Sequence, residues 1–314
     1  MNYNFCTYFD SNYLYRGLAL YYSIKRLKIN FRFWVLCFDN ISYNILEKLN
    51  HENIYLIKLD EFEAEYANLK NIKSSRNKIE YYWTSTPFII KYILKKNKKI
   101  NFLTYLDADL LFFSEPSEIY KIYKNKSIYI VPHRFPINIK IKAENDAGKF
   151  NVGFMIFKND ENSEMCLEWW SNQCIDWCYD KIEDNKCGDQ KYLDEFPKLF
   201  DGVQESNEIG IGLGEWNLDN YKIKKKNNLL YVDNEILIVF HFNCTNLVET
   251  NLLITNQKYK YRLIYYEYVN LLNEAVKSVR KIEPNFNKGF ERLNFIEKIY
   301  QKIRKRTYLL NLNN

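Results

Sequence analysis

The sequence lacks any apolar run of the roughly 18 residues that a membrane-spanning helix needs, so we expect no transmembrane segment. Its N-terminus, MNYNFCTYFD, has no basic region followed by an apolar one. We therefore expect no signal peptide and interpret this stretch as the first strand of a fold. Histidine is scarce, with three residues in 314, so a histidine that ends a core strand is informative.

Cysteine is present but shows no metal-binding or disulfide pattern. The seven cysteines are an odd number and form no Cys-x-x-Cys pair. We interpret them as reduced thiols of a cytosolic protein, most of them packed in the core. Cys174 and Cys178 lie one helical turn apart within a predicted helix, where packing is the favoured interpretation and a zinc site is the alternative.

Positive charge is concentrated near the C-terminus. Residues 277–306 contain ten Lys or Arg and three acidic residues, a net charge of +7, whereas the whole chain carries +6. The rest of the chain is therefore close to neutral. Nucleic acid is not an expected partner, because the basic residues are not spread over the main domain.

The order of predicted elements indicates an α/β fold. Strand-like apolar runs occur at 3–9, 31–38, 54–59 and 102–106, and helical patterns between them at 14–27, 43–49 and 86–96. Continuous apolar strands separated by helices are typical of a mostly parallel sheet covered on both faces. Further predicted strands lie at 127–131, 151–157, 229–232 and 236–242, and a long helix at 163–182. We expect one α/β domain over residues 1–257 and a basic helical extension over 258–314.

One of the most apolar runs, FLTYLDADLLFF at 102–113, contains two carboxylates, Asp107 and Asp109. In an extended segment, side chains two positions apart point to the same side, so these two repel each other. Burying them unpaired is costly or keeps one of them protonated. The nearest cationic residues in sequence are Lys99 and Lys121, so a divalent cation is the favoured partner. Two solvated aspartates at the start of a loop are the alternative.

A histidine supports the metal interpretation. His241 ends the apolar run ILIVFHF, and neutral imidazole is a suitable ligand for Mn²⁺-like ions. A polar cap at the end of the strand is the alternative for a lone histidine.

The glycine-rich stretch IGIGLGEWN at 209–217 does not fit a phosphate-binding loop, because no strand precedes it and no helix-forming run follows it. We interpret it as a loop at the edge of a pocket. Trp216 and Asn217 would then contact a sugar, or else the tryptophan simply packs in an ordinary surface loop.

Several sequence blocks occur in a recognisable order between residue 5 and about residue 242. They are FCTYFDSNYLYRGLALYYSI, FLTYLDADLLFF, KFNVGFMIFKND, CGDQKYLDEF and VFHF. The sequence resembles GT-A fold glycosyltransferases, particularly the family 8 group of bacterial lipopolysaccharide galactosyl- and glucosyltransferases and glycogenin. The resemblance implies a Rossmann-like α/β GT-A fold, a mixed and mostly parallel sheet flanked by helices.

The resemblance also implies a site for a nucleotide sugar. The residues that would hold Mn²⁺ or Mg²⁺ across the diphosphate of a UDP-sugar are Asp107, Asp109 and His241. The residues that would contact the base and ribose are Tyr8, Asp10, Asn12 and Tyr13. A carboxylate or amide pairs with uracil edges and a tyrosine ring stacks on the base, although both tyrosines would equally serve as core aromatics.

Two further groups follow from the same resemblance. Arg76 and Lys78, in SSRNKIEYYW, would reach the diphosphate, with a solvated charged face as the alternative. The residues that would surround the transferred sugar are Asn151, Asp189 and Gln190. Asp189 would accept hydrogen bonds from sugar hydroxyls or cap a helix. Gln190 would place its amide oxygen near the anomeric carbon, where positive charge develops.

The sequence departs from the family pattern after His241. The family's late histidine is usually followed by a Gly and a Lys-Pro-Trp element whose lysine contacts phosphate, whereas this chain continues HFNCTNLVETN with no lysine before Lys258. Phosphate neutralisation then falls to Arg76, Lys78 or the Lys224–Lys226 run. Because this departure leaves the exact family open, retention and inversion at the anomeric carbon both stay open. An inverting enzyme would need a carboxylate base on the acceptor side. The candidates for that base are Glu144, Asp146 and Asp189.

We therefore expect a metal-dependent glycosyltransferase that moves a hexose from a UDP-sugar to a bacterial surface glycan, lipopolysaccharide or capsule. A sugar-nucleotide nucleotidyltransferase is one alternative, but it needs a glycine-rich basic loop where this chain has YFDSNYLYRG. A non-catalytic glycan-binding module is the other, and it would not require Asp107, Asp109 and His241 to converge.

The C-terminal stretch GFERLNFIEKIYQKIRKRTYLL predicts an amphipathic helix with a basic face. Its apolar positions, at three- and four-residue steps, are Leu293, Ile296, Tyr300, Ile303, Thr307 and Leu310. Such a helix lies on anionic membrane, or docks on the main domain with its lysines in solvent. We expect a cytoplasmic enzyme held peripherally at the inner face of the membrane through residues 277–306, where a lipid-linked glycan acceptor would be found.

Overall fold

The structure is a computed structural model of the chain, and it describes residues 2–123, 125–248, 252–255, 261–292, 294, 297 and 307–309. The helices are α1 (Leu14–Arg26), α2 (Asn40–Leu49), α3 (Leu59–Glu65), α4 (Ala67–Ile72), α5 (Lys78–Lys96), α6 (Ser117–Tyr123), α7 (Lys140–Ala147), α8 (Glu161–Asp176), α9 (Phe196–Leu199) and α10 (Arg262–Ile282). The strands of the first half are β1 (Asn2–Phe9), β2 (Asn30–Cys37), β3 (Ile54–Lys58), β4 (Phe102–Leu106), β5 (Leu110–Phe112), β6 (Ile128–Pro132) and β7 (Phe150–Lys158). The remaining strands are β8 (Ile182–Glu183), β9 (Lys186–Cys187), β10 (Val203–Glu205), β11 (Leu213–Gly214), β12 (Ile223–Lys226), β13 (Leu229–Val232), β14 (Glu235–Ile236), β15 (Val239–His241), β16 (Thr245–Val248), β17 (Leu252–Thr255), β18 (Phe290–Glu291) and β19 (Thr307–Leu309).

A seven-stranded sheet in the order β10-β6-β7-β4-β1-β2-β3 forms the centre of the fold. Strands β4, β1, β2 and β3 run parallel to one another, and β10 runs parallel to β6. Strand β7 is antiparallel to both of its neighbours, β4 and β6. The prediction of a mixed, mostly parallel sheet flanked by helices is therefore confirmed.

Both faces of the sheet are covered. In β1, the adjacent residues Phe5 and Cys6 point to opposite faces and both are fully buried. Phe5 belongs to the core that includes α1 and α10, whereas Cys6 belongs to the core formed with α5 and α8. This double burial explains why the strands are continuous apolar runs instead of alternating ones.

Helix α5 begins earlier than the apolar pattern at 86–96 predicts. Asn77 and Glu80 form a capping box, in which the Asn77 side chain accepts from the Glu80 amide and the Glu80 carboxylate accepts from the Asn77 amide. Pro87 consequently lies inside the helix and not near its start. The extra turns place Lys78, together with the residues that follow it, beside the C-terminal end of β1.

The predicted helix at 163–182 is wrong at its C-terminal end. Helix α8 stops at Asp176, where Trp177 takes an extended conformation, and residues 182–183 form β8. Cys178 therefore lies beyond the helix and does not follow Cys174 on the same helical face. Both thiols are buried, as the packing interpretation predicts.

Helix α10 of the C-terminal region packs against α1 and shares the core on that side of the main sheet. Nine buried residues of α10 belong to the same core as β15 and α1. The Phe242 and Tyr268 rings are stacked with centroids 3.9 Å apart. The boundary at residue 257 stays a prediction, but α10 itself shares a core with the residues before that boundary.

The predicted helix over 293–310 lies largely outside the described residues. Of its six apolar positions, Thr307 is described, and it lies in β19, which pairs antiparallel with β17. Thr307 and Tyr308 are residue types that favour strands, and pairing with β17 gives their backbone groups hydrogen-bond partners. The helix prediction is wrong at these residues. Within the described residues, no helix combines the length and apolar character needed to cross a bilayer.

We predict that Leu272→Ala lowers the free energy of unfolding by about 2–5 kcal/mol, because Leu272 is fully buried between α10 and the main core. The control is Leu263→Ala on the same helix, where the side chain is 40% exposed and the expected change is about 0.5 kcal/mol or less. Urea unfolding followed by circular dichroism and by tryptophan fluorescence measures both. Equal effects of the two substitutions, or an early separate transition for α10, would show that the helix is not part of the core.

Candidate functional site

The two acidic residues lie in a tight turn between β4 and β5. The Leu110 amide donates to the Asp107 carbonyl (3.2 Å), which closes the turn. The Asp107 amide donates to the Gly153 carbonyl of β7 (2.9 Å), which fixes the turn to the central sheet. Strand β5 then pairs antiparallel with β15, and this register places His241 opposite Leu110.

The pairing of β5 with β15 brings the predicted metal-ligating residues together. Asp107, Asp109 and His241 each offer one ligand atom, and these atoms all lie within 4.8 Å of one another. His241 Nε2 is 2.9 Å from Asp109 Oδ1 and 3.7 Å from Asp107 Oδ2. The convergence arises from a turn and a strand pairing and not from alternation along one extended segment.

Burial and mutual charge control the protonation of the three groups. Burial and the neighbouring Asp109 charge together raise the pKa of Asp107 to about 6, against the opposing effect of His241. Burial also acts against ionisation of Asp109, but the charge and hydrogen bond of His241 lower its pKa overall. For His241, burial disfavours the cation, yet the two carboxylates raise its pKa. The cluster thus holds excess negative charge in a confined space.

The residues present fit a divalent cation. Two carboxylates and one imidazole are the donor set that Mn²⁺ accepts and that Mg²⁺ partly shares. The Tyr105 hydroxyl donates to Asp107 Oδ1 (2.8 Å), which orients that carboxylate from outside the ligand set. Arg16, which donates to the Thr245 carbonyl (2.8 Å), adds a favourable charge near Asp109.

The glycine in the KFNVGFMIF block is Gly153, and its lack of a side chain leaves room for His241. A Cβ at this position would lie 2.7 Å from His241 Cε1 and 2.9 Å from its Nδ1. It would also lie 2.7 Å from Asn151 Oδ1, which accepts from the Gly153 amide at 2.9 Å. The imidazole can lie against β7 only because this position has no side chain.

A cleft of about 470 Å³ opens next to the acidic turn. The predicted residues that line it are Tyr8, Asp10, Asn12, Tyr13, Lys78, Asp107 and Asp109. The sequence interpretation missed Tyr82, Trp83 and Tyr105, which also line it. Tyr82 and Trp83 lie one helical turn after Lys78, so a prediction that started α5 at its capping box would have found them.

The two predicted base-contacting tyrosines differ in exposure. The Tyr13 side chain is 43% exposed at the cleft, and the Arg16 guanidinium lies over its ring at 4.6 Å. The Tyr8 hydroxyl is 3.0 Å from Thr86 Oγ1, and its ring packs against Phe38. Tyr13 therefore offers an open aromatic face, whereas Tyr8 is mostly part of the wall.

Asp10 is saturated with hydrogen-bond donors. Its Oδ1 accepts from the amides of Asn12 (2.9 Å) and Tyr13 (3.3 Å). Its Oδ2 accepts from Asn12 Nδ2 (3.0 Å) and the Tyr82 hydroxyl (3.2 Å), and it also pairs with the Lys78 ammonium. A carboxylate has about four acceptor positions. Asp10 thus organises the β1–α1 loop, and a ligand reaches it only by displacing one of these donors.

The predicted cationic residues separate in the structure. Lys78 lines the cleft, whereas Arg76 lines a neighbouring groove, lies over the Tyr179 ring at 4.0 Å and donates to the Ile175 carbonyl (3.0 Å). The Lys224–Lys226 run is exposed on β12, and none of its residues lines the cleft.

Asn151 and Gln190 are held in one hydrogen-bond chain. Asn151 Nδ2 is 3.3 Å from Gln190 Oε1 and 3.3 Å from His133 Nε2. Gln190 Nε2 donates to the Ala147 carbonyl (2.9 Å). Burial lowers the pKa of His133 to about 4, so the neutral imidazole accepts from Asn151. Sequence reasoning missed His133, although it is one of three histidines and directly follows a core strand.

Asp189 is buried beside the acidic turn with one oxygen unsatisfied. Its Oδ2 has no hydrogen-bond partner among the described residues, while a hydrogen bond with Thr86 stabilises the carboxylate. Burial raises the pKa of Asp189 to about 7, and the Asp107 charge raises it as well. Gly188 precedes it with φ of +52°, and a Cβ there would meet the Trp83 ring at 3.1 Å.

The loop residues proposed as sugar contacts make internal contacts. The Trp216 indole donates to the His133 carbonyl (2.7 Å), and its ring packs edge-on against His241 with centroids 5.4 Å apart. Asn217 is buried and donates to the carbonyls of His133 (2.6 Å) and Gly212 (2.9 Å). Both residues support His241 and β6 in this structure.

Comparison with known proteins agrees with this geometry. A family model described as "Glycosyl transferase family 8" matches residues 4–204. Two proteins of Bacillus subtilis (strain 168) are similar over nearly their whole length: "Uncharacterized protein YfnF" and "Uncharacterized protein YfnD". YfnF is 28% identical over 91% of this chain and 96% of its own length, and YfnD is 27% identical over 92% and 94%.

Solved structures agree on the fold. Mouse xyloside xylosyltransferase 1 in its apo form superposes with a TM-score of 0.50 at 14% identity, covering 78% of this chain and 98% of that one. At this identity the likeness concerns the fold alone, and it is the GT-A fold that the sheet order shows. The family match extends over more than half of the chain and includes the Asp107–Asp109 turn, Asn151 and Gln190. The chain is therefore a glycosyltransferase that belongs to glycosyl transferase family 8.

Proposed function

We propose that this enzyme transfers a hexose from a UDP-sugar to a bacterial surface glycan, either lipopolysaccharide or capsule, with Mn²⁺ or Mg²⁺ as cofactor. One observation carries the proposal: Asp107, Asp109 and His241 converge, and the two aspartates line a cleft that several aromatic rings and one lysine also line. A nucleoside diphosphate offers an aromatic base and a polyanion, which are the two chemistries this cleft accommodates.

The donor would lie along the cleft from Tyr13 to the acidic turn. The exposed Tyr13 ring suits stacking on uracil, and Asn12 supplies an amide at the same loop. Lys78 is the cationic residue among those lining the cleft, so it would take over phosphate neutralisation from the lysine that the sequence lacks after His241. To do so it exchanges its ion pair with Asp10 for one with phosphate.

The cation would be held by Asp107, Asp109 and His241. When bound there it supplies Lewis-acid stabilisation of the departing diphosphate. Tyr105 orients Asp107 by its hydrogen bond, and Trp216 fixes the imidazole plane of His241 by packing. These supporting contacts make the ligand positions rigid.

The sugar side of the site would be formed by Asp189, Asn151 and Gln190. The buried, unsatisfied Asp189 oxygen would accept a hydrogen bond from a sugar hydroxyl. Asn151 holds Gln190 Oε1 in place, and that oxygen would face the anomeric carbon as positive charge develops. In an inverting course, Glu144 or Asp146 of α7 would instead activate the acceptor as a base.

The two alternative functions fit less well. A nucleotidyltransferase needs a glycine-rich basic loop after β1, and here that loop is organised by the Asp10 carboxylate. A glycan-binding module gives no reason for the acidic residues and the imidazole to converge. Residues 277–306 would hold the enzyme peripherally at the cytoplasmic membrane face, near a lipid-linked acceptor.

We predict that UDP binds in a Mn²⁺-dependent way and that Asp109→Asn abolishes this dependence, because one ligand charge is lost. Calorimetry of UDP with Mn²⁺ or chelator measures it, and a UDP-release assay over a panel of nucleotide sugars identifies the donor. UDP release by Asp109→Asn should fall by at least roughly 10–100-fold, which is the usual loss when a residue that only supports a metal ligand is changed. Asp146→Asn on α7 is the matched control for binding. Equal UDP affinity with Mn²⁺ and with chelator refutes the metal site.

We predict that Gly153→Ala weakens Mn²⁺ binding by about 10-fold or more, because the new methyl displaces the His241 ring. Overpacking should also cost about 1–3 kcal/mol of stability. Gly17→Ala is the control: its Cβ would meet the Phe9 ring at 2.2 Å, away from His241. Calorimetry with Mn²⁺ alone should separate the two variants, and equal Mn²⁺ affinity of both would contradict the assigned ligand role.

The raised pKa of Asp189 predicts a pH-dependent stability. The unfolded carboxyl titrates near 3.8 and the folded one near 7, so the native state binds the extra proton and loses stability as pH rises through this window. The titratable groups that interact with Asp189 are Tyr8, Tyr105, Asp107, Cys174 and Cys187. Asp189→Asn replaces the carboxyl with an amide that does not titrate, so this contribution to the pH dependence of stability disappears.

In chelator, Asp189→Asn should therefore gain stability relative to the parent protein between pH 5 and pH 8, by about 3 kcal/mol. Urea unfolding at the two pH values measures the difference, with the exposed Asp201→Asn as background. A difference between variant and parent that does not change with pH would show that Asp189 is ionised throughout.

A further inference from the structure

One exposed segment near the candidate site is apolar and has no covering partner among the described residues. Residues 137–142, INIKIK, are all exposed, and the exposed fractions of Ile137, Ile139 and Ile141 are 89%, 45% and 78%. The segment forms a turn that enters α7, and no residue of α7 is buried. Single exposed isoleucines are ordinary, but three within five residues form a patch.

The patch is attached to the site on both sides. On the upstream side, the Arg134 guanidinium donates to the carbonyls of Ser206 and Ile211, each at 2.9 Å. On the downstream side, Gln190 Nε2 donates to the Ala147 carbonyl (2.9 Å), and Lys191 Nζ donates to the Glu144 carbonyl (2.6 Å). The patch is therefore carried by a short segment fixed to residues that surround the proposed sugar position.

The charge in the patch is positive. Lys140 and Lys142 alternate with the isoleucines, and residues 137–142 contain no acid. Lys140 Nζ is 3.9 Å from Glu144, and the described residues give Lys142 no ion pair. Apolar side chains interleaved with lysines match the boundary between acyl chains and anionic headgroups. A stable protein interface needs about 800 Å² per partner, or 20–30 residues a side, which this segment does not provide.

We propose that residues 137–142 insert into the headgroup region of an anionic lipid bilayer and hold the sugar side of the cleft against the membrane. The inference rests on the proposed function, in which the acceptor is lipid-linked. It names a docking surface separate from residues 277–306. Two weak membrane signals together give stable binding where one alone gives marginal binding.

The test is co-sedimentation of the full chain with vesicles of phosphatidylcholine and phosphatidylglycerol, compared with vesicles of phosphatidylcholine alone. Ile137→Ser with Ile141→Ser should lower binding to the anionic vesicles by about 10-fold or more. The matched control is Ile122→Ser with Ile182→Ser, two isoleucines 53% and 59% exposed elsewhere, which should bind like the parent. Lys140→Glu with Lys142→Glu should reduce the preference for anionic vesicles, with residues 277–306 supplying the remainder.

Acceptor-independent UDP release separates this proposal from the proposed function. The Ile137/Ile141 variant should release UDP at the parent rate, because these side chains are outside the cleft. The proposed docking surface is wrong if the Ile137/Ile141 variant binds anionic vesicles as well as the parent does. It is also wrong if the Ile122/Ile182 control loses vesicle binding to the same extent, whatever the enzymatic activity. Impaired transfer to a lipid-free glycan with unchanged vesicle binding also overturns it and assigns the patch to the acceptor glycan. Absence of UDP release in the parent protein counts against the proposed function and not against the surface.

Discussion

The pairing of β5 with β15 is the interaction on which the site depends. These short strands are separated by more than 125 residues of chain, and their antiparallel register sets His241 beside the turn that carries Asp107 and Asp109. The same turn is tied to β7 through the Gly153 carbonyl. Two carboxylates repel each other in a confined space, and the strand pairing brings the His241 imidazole close enough to offset that repulsion.

The rest of the site is built outward from this pairing. Gly153 leaves room for the imidazole, Trp216 packs against its edge, and the His133 carbonyl holds Trp216 in turn. His133 also accepts from Asn151, which reaches Gln190. The residues proposed to hold the metal and those proposed to face the sugar thus share one set of supporting contacts, so a substitution in one group is expected to shift the side chains of the other.

Sequence reasoning reached the fold and the convergence of Asp107, Asp109 and His241 because those features are local or carried by a motif. The acidic pair follows an apolar strand, and a scarce histidine ends another. Sequence reasoning failed where tertiary contacts decide the position of a side chain. Arg76 lies in the same short stretch as Lys78, yet the capping box at Asn77 starts a helix between them, and the guanidinium packs on Tyr179 outside the cleft.

The groups that donate hydrogen bonds to Asp10 could not be predicted from sequence either, because Tyr82 donates from a helix 72 residues further along the chain. His133 carried a signal, its position at the end of a core strand, but its neutral state depends on burial that only the fold provides. The exposure of the apolar segment at 137–142 depends on how the folded chain packs, so the sequence alone does not predict it.

Crystals of the protein grown with Mn²⁺ and UDP would locate the ion through the anomalous signal of manganese. We expect one strong peak within coordination distance of Asp107, Asp109 and His241, beside the bound diphosphate. A peak elsewhere, or UDP bound with no ion between its phosphates and the acidic turn, would contradict this expectation.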